Sequence, residues 1–357
     1  MNKPLPFKID RKSSVSLARQ VTDGLRQAIV LGYYQPGERL PTIHEMCSEF
    51  GICIRAPQTA LKALSAEGLI ATRRRIGCVV LARKGKTWKG HVVLLQPDHH
   101  PVYYKTVIEM RVTERLIGAG YLVTRLMLPF SDGKHPDFAS LEAVLHQSTS
   151  LVLMHGDHAA ANRFLSHAEL PFAVIAERRC ELGNCVGNIT YDRLGAMDGL
   201  SGWCVSNNVR DLMQVGTRAD SLLDLSVLNS AGICTRNMTL AEHYADGQGF
   251  ERIFNTAWTV FNRKPTAKGL PDAYFFADDY IARAAIPALL QCGVRVPGDV
   301  RIASWSNVGN RMPYGVPIAR MVMNPFSDAE IVSNAVLSYL KDGEFPKNIR
   351  LTPKLYH

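Results

Sequence analysis

The sequence predicts an α/β protein: a small basic helical head followed by a two-lobed body of doubly wound parallel sheets. Three observations predict this. Excess positive charge is confined to the first quarter of the chain. In that quarter, apolar residues at helical spacing lead into a short pair of strands. From residue 91 onward, short apolar runs alternate with helical stretches. The 357 residues suit two or three domains, and a 46% hydrophobic share suits packed rather than disordered chain.

Residues 1–90 hold 16 Lys and Arg against 6 Asp and Glu, a net charge of +10, whereas residues 91–357 hold 25 against 26. Such asymmetry points to a polyanion as the partner of one domain only. No apolar run reaches the ~18 residues that span a bilayer, and the first ten residues lack the apolar core of a secretory signal. A cytoplasmic protein is the expectation. Its eight cysteines form no CxxC pair, so free, mostly buried thiols are expected.

Within the head, Leu17, Val21, Leu25 and Ile29 recur every four residues and define a first amphipathic helix, which Gly32 ends. Thr42-Ile43-His44-Glu45 has the form of a capping box opening a second, short helix that Gly51 terminates. Ala60, Leu61 and Leu64 form the inner stripe of a third helix, and Pro57 fits only its first turn. Leu69–Thr72 and Gly77–Leu81 read as two strands joined by a basic tip, Arg73-Arg74-Arg75. Three helices and a basic hairpin make a winged helix-turn-helix over residues 14–81. Residues 1–13 read as an arm and 82–90 as a basic tether. A helix of this size fits a major groove, and the hairpin brings arginines to phosphates or the minor groove.

Leu31-Gly32-Tyr33-Tyr34-Gln35-Pro36-Gly37-Glu38-Arg39-Leu40-Pro41-Thr42 and Ala66-Glu67-Gly68-Leu69-Ile70 resemble, in order and spacing, the signature of the GntR family of bacterial transcription regulators. The resemblance implies a duplex DNA partner, bound by a homodimer. Where that family begins its recognition helix with basic residues, this chain has Ile54 and Gln58, and its wing glycine is replaced by Arg75. Arg55, Gln58 and Thr59 are therefore the expected base-edge contacts. Thr42, His44, Arg73, Arg74 and Arg75 are the expected supporting contacts. The departures imply an unusual operator sequence.

Beyond residue 90, strands are expected at 91–96, 122–127, 151–154, 172–175, 212–215, 273–276 and 300–304, with helices between them and a break near 179–188. Alternation of this kind implies βαβ units, with ligands beyond the carboxyl ends of the strands, here in a cleft between lobes. Gln96-Pro97, Phe276-Ala277-Asp278-Asp279 and Gly293-Val294-Arg295-Val296-Pro297-Gly298-Asp299-Val300 resemble the effector domain of LacI/GalR regulators, which has the periplasmic-binding-protein fold. Joined to a GntR-type head, it is similar to arabinose-repressor-like hybrids. The resemblance implies a two-lobed effector-binding and dimerisation domain over 91–345 and a tail over 346–357. It also implies a carbohydrate-related effector held by Tyr103, Glu177, Tyr244, Asp278 and Ser306. Trp305, at a strand end, could stack on a sugar face. Asp278 and Asp279 read equally well as a helix cap, and Tyr103, Tyr244 and Trp305 as packing aromatics. Asp278 replaces the family's asparagine and Ser306 its aspartate, and the family's effector-binding arginine has no clear counterpart, Arg218 or Asp220 lying nearest.

No phosphate-binding loop, nucleophile elbow or paired-histidine metal motif is present. Neither a cofactor nor an enzyme is expected. The sequence reading is a ligand-responsive DNA-binding regulator, with a repressor as the preferred form; the alternative is a cytoplasmic sugar-binding module without regulated DNA binding.

Overall fold

The computed structural model describes residues 3–13, 15–73, 76–81, 88–97, 102–128, 136–145, 149–156, 158–177, 179–217, 219, 222–243, 249–263 and 269–356. Arg74, Arg75, Tyr244, Arg218, Asp220 and residues 82–87 lie outside them.

The head contains α1 (Leu17–Val30), α2 (Ile43–Phe50), α3 (Arg55–Ala66) and the hairpin β1 (Ile70–Arg73) and β2 (Gly77–Val80). Val21, Leu25, Ala28 and Ile29 of α1 meet Ala56, Ala60, Leu61 and Leu64 of α3 in one core. The capping box of α2 is complete: the Glu45 N–H donates to Thr42 Oγ1 at 3.2 Å, and the Thr42 N–H donates to Glu45 Oε2 at 2.6 Å. Gly51 ends α2 at φ 60°, in the left-handed region. Replacing Thr42 by Ala is expected to lower the stability of the head by about 1 kcal/mol, read as a lower melting midpoint of its helical signal. The hairpin is antiparallel, pairing Ile70 with Val80 and Arg73 with Gly77, and Arg39 adds an isolated bridge to Val79.

Residues 3–13 are not a free arm. Leu5 is buried in the head core, and the Phe7 ring lies 5.2 Å from that of Phe50. The Tyr33 hydroxyl donates to the Pro4 carbonyl at 2.9 Å, and Arg11 donates to the Phe50 and Gly51 carbonyls at 3.0 and 2.6 Å. Alternate apolar residues at 5, 7 and 9 explain the adhesion: each loses water against the helices. The described end of the tether is also fixed, since the Lys89 N–H donates to the Gly120 carbonyl at 2.8 Å.

The rest of the chain forms two six-stranded sheets. The first comprises β3 (His91–Gln96), β4 (Leu122–Met127), β5 (Thr149–His155), β6 (Phe172–Ala176), β7 (Cys185–Tyr191) and β13 (Ile349–Leu351), in the order β13-β7-β6-β5-β3-β4. Helices α4 (Tyr103–Gly118), α5 (Ala139–Val144) and α6 (Ala159–His167) connect its strands. The second comprises β8 (Asp211–Gly216), β9 (Cys234–Thr239), β10 (Ala273–Phe276), β11 (Arg301–Asn307), β12 (Ala319–Met323) and β14 (Lys354–Tyr356), in the order β14-β12-β11-β10-β8-β9. Its helices are α7 (Arg193–Ser206), α8 (Ser226–Ser230), α9 (Gly249–Phe261) and α10 (Asp279–Gln291), and α11 (Pro325–Asp342) follows β12. In both sheets the second strand in sequence lies outside the first, and the later strands add on the other side. This doubly wound order creates a switch point at the strand ends. Strands β3, β6 and β10 are buried along their whole length, and apart from His91 and Gln96 at the ends of β3 their sequences are continuous apolar runs.

By contact, the chain divides into two compact units: residues 1–99, 109–189 and 330–349, and residues 100–108, 190–329 and 350–357. Several expectations are corrected. The presumed break at 179–188 contains the start of β7. Of the helices expected between the strands at 212–215 and 273–276, α8 has only five residues. Residues 346–357 are not a tail, because β13 lies beside β7 and β14 pairs antiparallel with β12. All eight cysteines are free, but only Cys204 is buried, and Cys53 and Cys234 are exposed.

Candidate nucleic-acid interface and effector pocket

Helix α3 carries two faces. Ala56, Pro57, Ala60, Leu61 and Leu64 turn inward, leaving Arg55, Gln58, Thr59 and Lys62 exposed. Gln58 and Lys62 line one surface groove with Thr72 and Cys78 of the hairpin, so the outer face of α3 and the wing share a side of the head. Arg73, at the end of β1, is exposed. Among the described residues none of Arg39, Arg55, Lys62 and Arg73 makes an ion pair, whereas Arg26, at the α1–α3 seam, is neutralised by Glu67 at 2.6 Å and by Asp23. Arg39, Arg55, Lys62 and Arg73 thus place unpaired positive charge around α3 and the wing.

Individual residues sort further. Thr59 donates its hydroxyl to the Arg55 carbonyl at 2.8 Å, which leaves it only acceptor capacity. Thr42 is occupied by the capping box, while His44 stands exposed on the first turn of α2. Two basic groups were missed by sequence reasoning. Lys62 continues the exposed stripe at helical spacing from Gln58. Arg39 is brought to the wing by its bridge to Val79, and its guanidinium reaches within 3.9 Å of where a Gly77 Cβ would stand.

The second site lies wholly within the second unit, beyond the carboxyl ends of three adjacent strands. Asp278, Asp279 and Tyr280 follow β10, Trp305, Ser306 and Asn307 end β11, and Met323 ends β12; Tyr103 and Tyr104 complete the wall. Four of the six expected effector residues, Tyr103, Asp278, Trp305 and Ser306, thus converge. Glu177 follows β6 in the first unit and lies outside this pocket; the expectation that it shares a wall with the others is not met there. Tyr104 and Tyr280 were missed, although each adjoins a residue that was named, and Asp279 had been read only as a helix cap.

Asp278 caps α10, accepting from the Tyr280 N–H at 2.8 Å. Burial, with the neighbouring Asp279, pushes its carboxyl up to about 7 despite that hydrogen bond. Burial also raises Asp279, opposed by Arg283 at 3.5 Å, whose guanidinium lies 4.7 Å over the Tyr280 ring. Trp305 packs its ring 6.4 Å from that of Phe275 while another part lines the pocket. The Tyr104 hydroxyl donates to Asp328 Oδ2 at 2.8 Å, and burial drives that hydroxyl far above its ordinary value.

The Tyr103 hydroxyl donates to the Val308 carbonyl at 3.2 Å, beside Gly309. Gly309 has φ 84°, and a Cβ there would lie 2.2 Å from the Tyr103 hydroxyl oxygen. Gly309→Ala is expected to cost about 1–2 kcal/mol in backbone strain and to displace Tyr103. Calorimetric titration should show weakened ligand binding, with DNA binding unchanged.

Among the described residues, no group of three His, Cys, Asp or Glu side chains forms a metal site, and no helix is long and apolar enough to cross a membrane.

A winged-helix head with unpaired positive charge, joined to two doubly wound α/β lobes with a polar-aromatic pocket, defines a DNA-binding domain coupled to a small-molecule-binding body. Residues 17–80 match the family model of bacterial regulatory proteins, gntR family, and residues 228–355 match the periplasmic binding protein-like domain. The chain thus carries a gntR-type DNA-binding domain at its N-terminus and a periplasmic-binding-protein-like domain behind it. It is 36% identical over 66 residues to the uncharacterized HTH-type transcriptional regulator YieP of Escherichia coli strain K12. That match spans 18% of this chain and 29% of the relative's length.

Among solved structures, the chain resembles a LacI family transcriptional regulator from Arthrobacter sp. FB24 in complex with lactose, with a TM-score of 0.56 and 14% identity over 75% of this chain and 97% of that one. It also resembles the transcriptional regulator CelR–cellobiose complex, with a TM-score of 0.56 and 14% identity over 89% of this chain and 99% of that one. At such identities the likeness establishes the fold.

Proposed function

We propose that the protein is a ligand-responsive bacterial transcription regulator, acting in the cytoplasm as a homodimeric repressor. The head binds operator DNA through Arg55, Gln58 and Thr59 in the major groove, with Arg39, Lys62 and the wing arginines on phosphates. The pocket beyond β10, β11 and β12 binds a small hydroxylated effector, and occupancy changes the affinity of the heads for DNA. The observation that carries this reading is the shared face of α3 and the wing, lined by Gln58 and Lys62 on one side and Thr72 on the other. Structurally similar regulators in complex with lactose and with cellobiose support a carbohydrate-related effector.

The experiment is selection of genomic fragments by the purified full chain, followed by mobility shift of the selected DNA across salt concentrations. A sequence-preferring complex whose affinity falls steeply with salt is the expected result. Enrichment of no sequence above background would reject the reading.

A further inference from the structure

Resting on the reading of the second-unit pocket as the effector site, we infer that its ligand is a hydroxylated molecule carrying a protonated amine, with the Asp278 carboxylate as acceptor of the ammonium group. The lining is acidic and aromatic. Asp278 and Asp279 are its charged members, and none of the described residues that line it is Lys, Arg or His. Arg283 lies behind the wall, tied to Asp279 and stacked on Tyr280, so its charge is already engaged. Arg320 also bears on Asp279, but from outside the lining, with its guanidinium donating to the Met312 carbonyl and lying over the Tyr314 ring.

A second, independent feature points to a ligand. Ser306 is only 4% exposed, lines the pocket, and its hydroxyl makes no hydrogen bond among the described residues. That hydroxyl is left free to bond an incoming polar group. The rings of Tyr103, Tyr104, Tyr280 and Trp305 surround the same space. Ring faces attract cations, and a desolvated ammonium–carboxylate pair is among the stronger hydrogen bonds.

The elevated Asp278 carboxyl fits this arrangement: burial and the neighbouring Asp279 outweigh the Tyr280 N–H and the Arg283 charge that favour its anion. An ammonium group would supply the missing counter-charge. A phosphorylated ligand would instead set its negative charge against two carboxyls in a low-dielectric pocket. A neutral polyol would gain the hydroxyl contacts but bring no positive charge to the acidic lining.

The test uses the full chain, with calorimetry and thermal shift at pH 7.5. The probes are 6-amino-6-deoxyglucose, glucosamine, glucose and glucose 6-phosphate. The primary alkyl ammonium of the first, like that of lysine, stays protonated at this pH. At least one amine probe is expected to bind about tenfold or more tightly than glucose, with no binding of the phosphate. Asp278→Asn, which retains a capping side chain, should bring the amine down to the affinity of glucose, with its folding checked by the melting midpoint. If glucose binds as tightly as both amines, or the phosphate binds more tightly, the amine assignment is overturned while the pocket remains the effector site. If no probe binds, the amine assignment and the pocket reading fall together.

Discussion

Replacing Arg55 or Gln58 by Ala is expected to weaken binding to the selected operator by about 5- to 150-fold each, the equivalent of ~1–3 kcal/mol per bidentate base contact. Both side chains stand on the exposed face of α3, and neither takes part in the head core. The melting midpoint of each variant should therefore match that of the parent, which separates lost recognition from lost folding. Arginine pairs well with guanine and glutamine with adenine, so each variant should also relax specificity at one position of the half-site. Lys62→Ala and Arg73→Ala should behave differently. They are expected to weaken all duplexes alike and to reduce the salt slope by about one each, because a phosphate contact releases counterions without reading sequence. Fluorescence anisotropy on operator and scrambled duplexes at several salt concentrations distinguishes the two behaviours.

Asp278→Asn is expected to stabilise the second unit above neutral pH. In the folded chain the Asp278 carboxyl titrates near 7 rather than at 3.8. The folded state therefore holds a proton that the unfolded chain releases, and stability falls as pH rises from 3.8 towards about 7 and stays lowered above it. Several charged and titratable groups bear on Asp278 and its neighbour. They are Asp279, Tyr280 and Arg283 on α10, and Tyr314 and Arg320 from the elements packed beside it. Asparagine keeps the cap on α10 and carries no charge. The gain at pH 8 should be at most about 4 kcal/mol, read as a rise in Tm. At pH 4, where the carboxyl is protonated in the folded chain, the gain should vanish. Differential scanning calorimetry at the two pH values measures this directly, and an equal gain at both would remove the titration from the explanation.

The head was the more legible part because its signals are local. The capping box needs Thr42 and Glu45, three residues apart, and Gly51 needs only its own φ. The segment at residues 3–13 escaped because its fixing contacts are distant in sequence: Leu5 lies in a core built from α1–α3, and Arg11 bonds to carbonyls 39 and 40 residues away. In the body, strands buried on both faces announce themselves as apolar runs. Strand β9, Cys-Thr-Arg-Asn-Met-Thr at an edge of its sheet, has no such run and was missed. Strands β13 and β14 are three residues each, too short for any period.

At the pocket, Trp305 was readable because ligands gather beyond strand ends, whereas Asp278 and Ser306 came from the resemblance to LacI/GalR effector domains. The Tyr104–Asp328 hydrogen bond was not readable, since its partners are 224 residues apart and only the completed fold brings them together. Arg74, Arg75 and Tyr244 lie outside the described residues, and their assignments stay with the proposal.

The central claim is that α3 and the wing grip one duplex together. Hydroxyl-radical footprinting of the full chain on its selected operator measures this most directly. The account predicts, in each half-site, protection flanking one major groove and protection of the adjacent phosphates where the wing lies, with the latter reduced in Arg73→Ala. Protection confined to a single patch that Arg73→Ala and Gln58→Ala leave unchanged would contradict it.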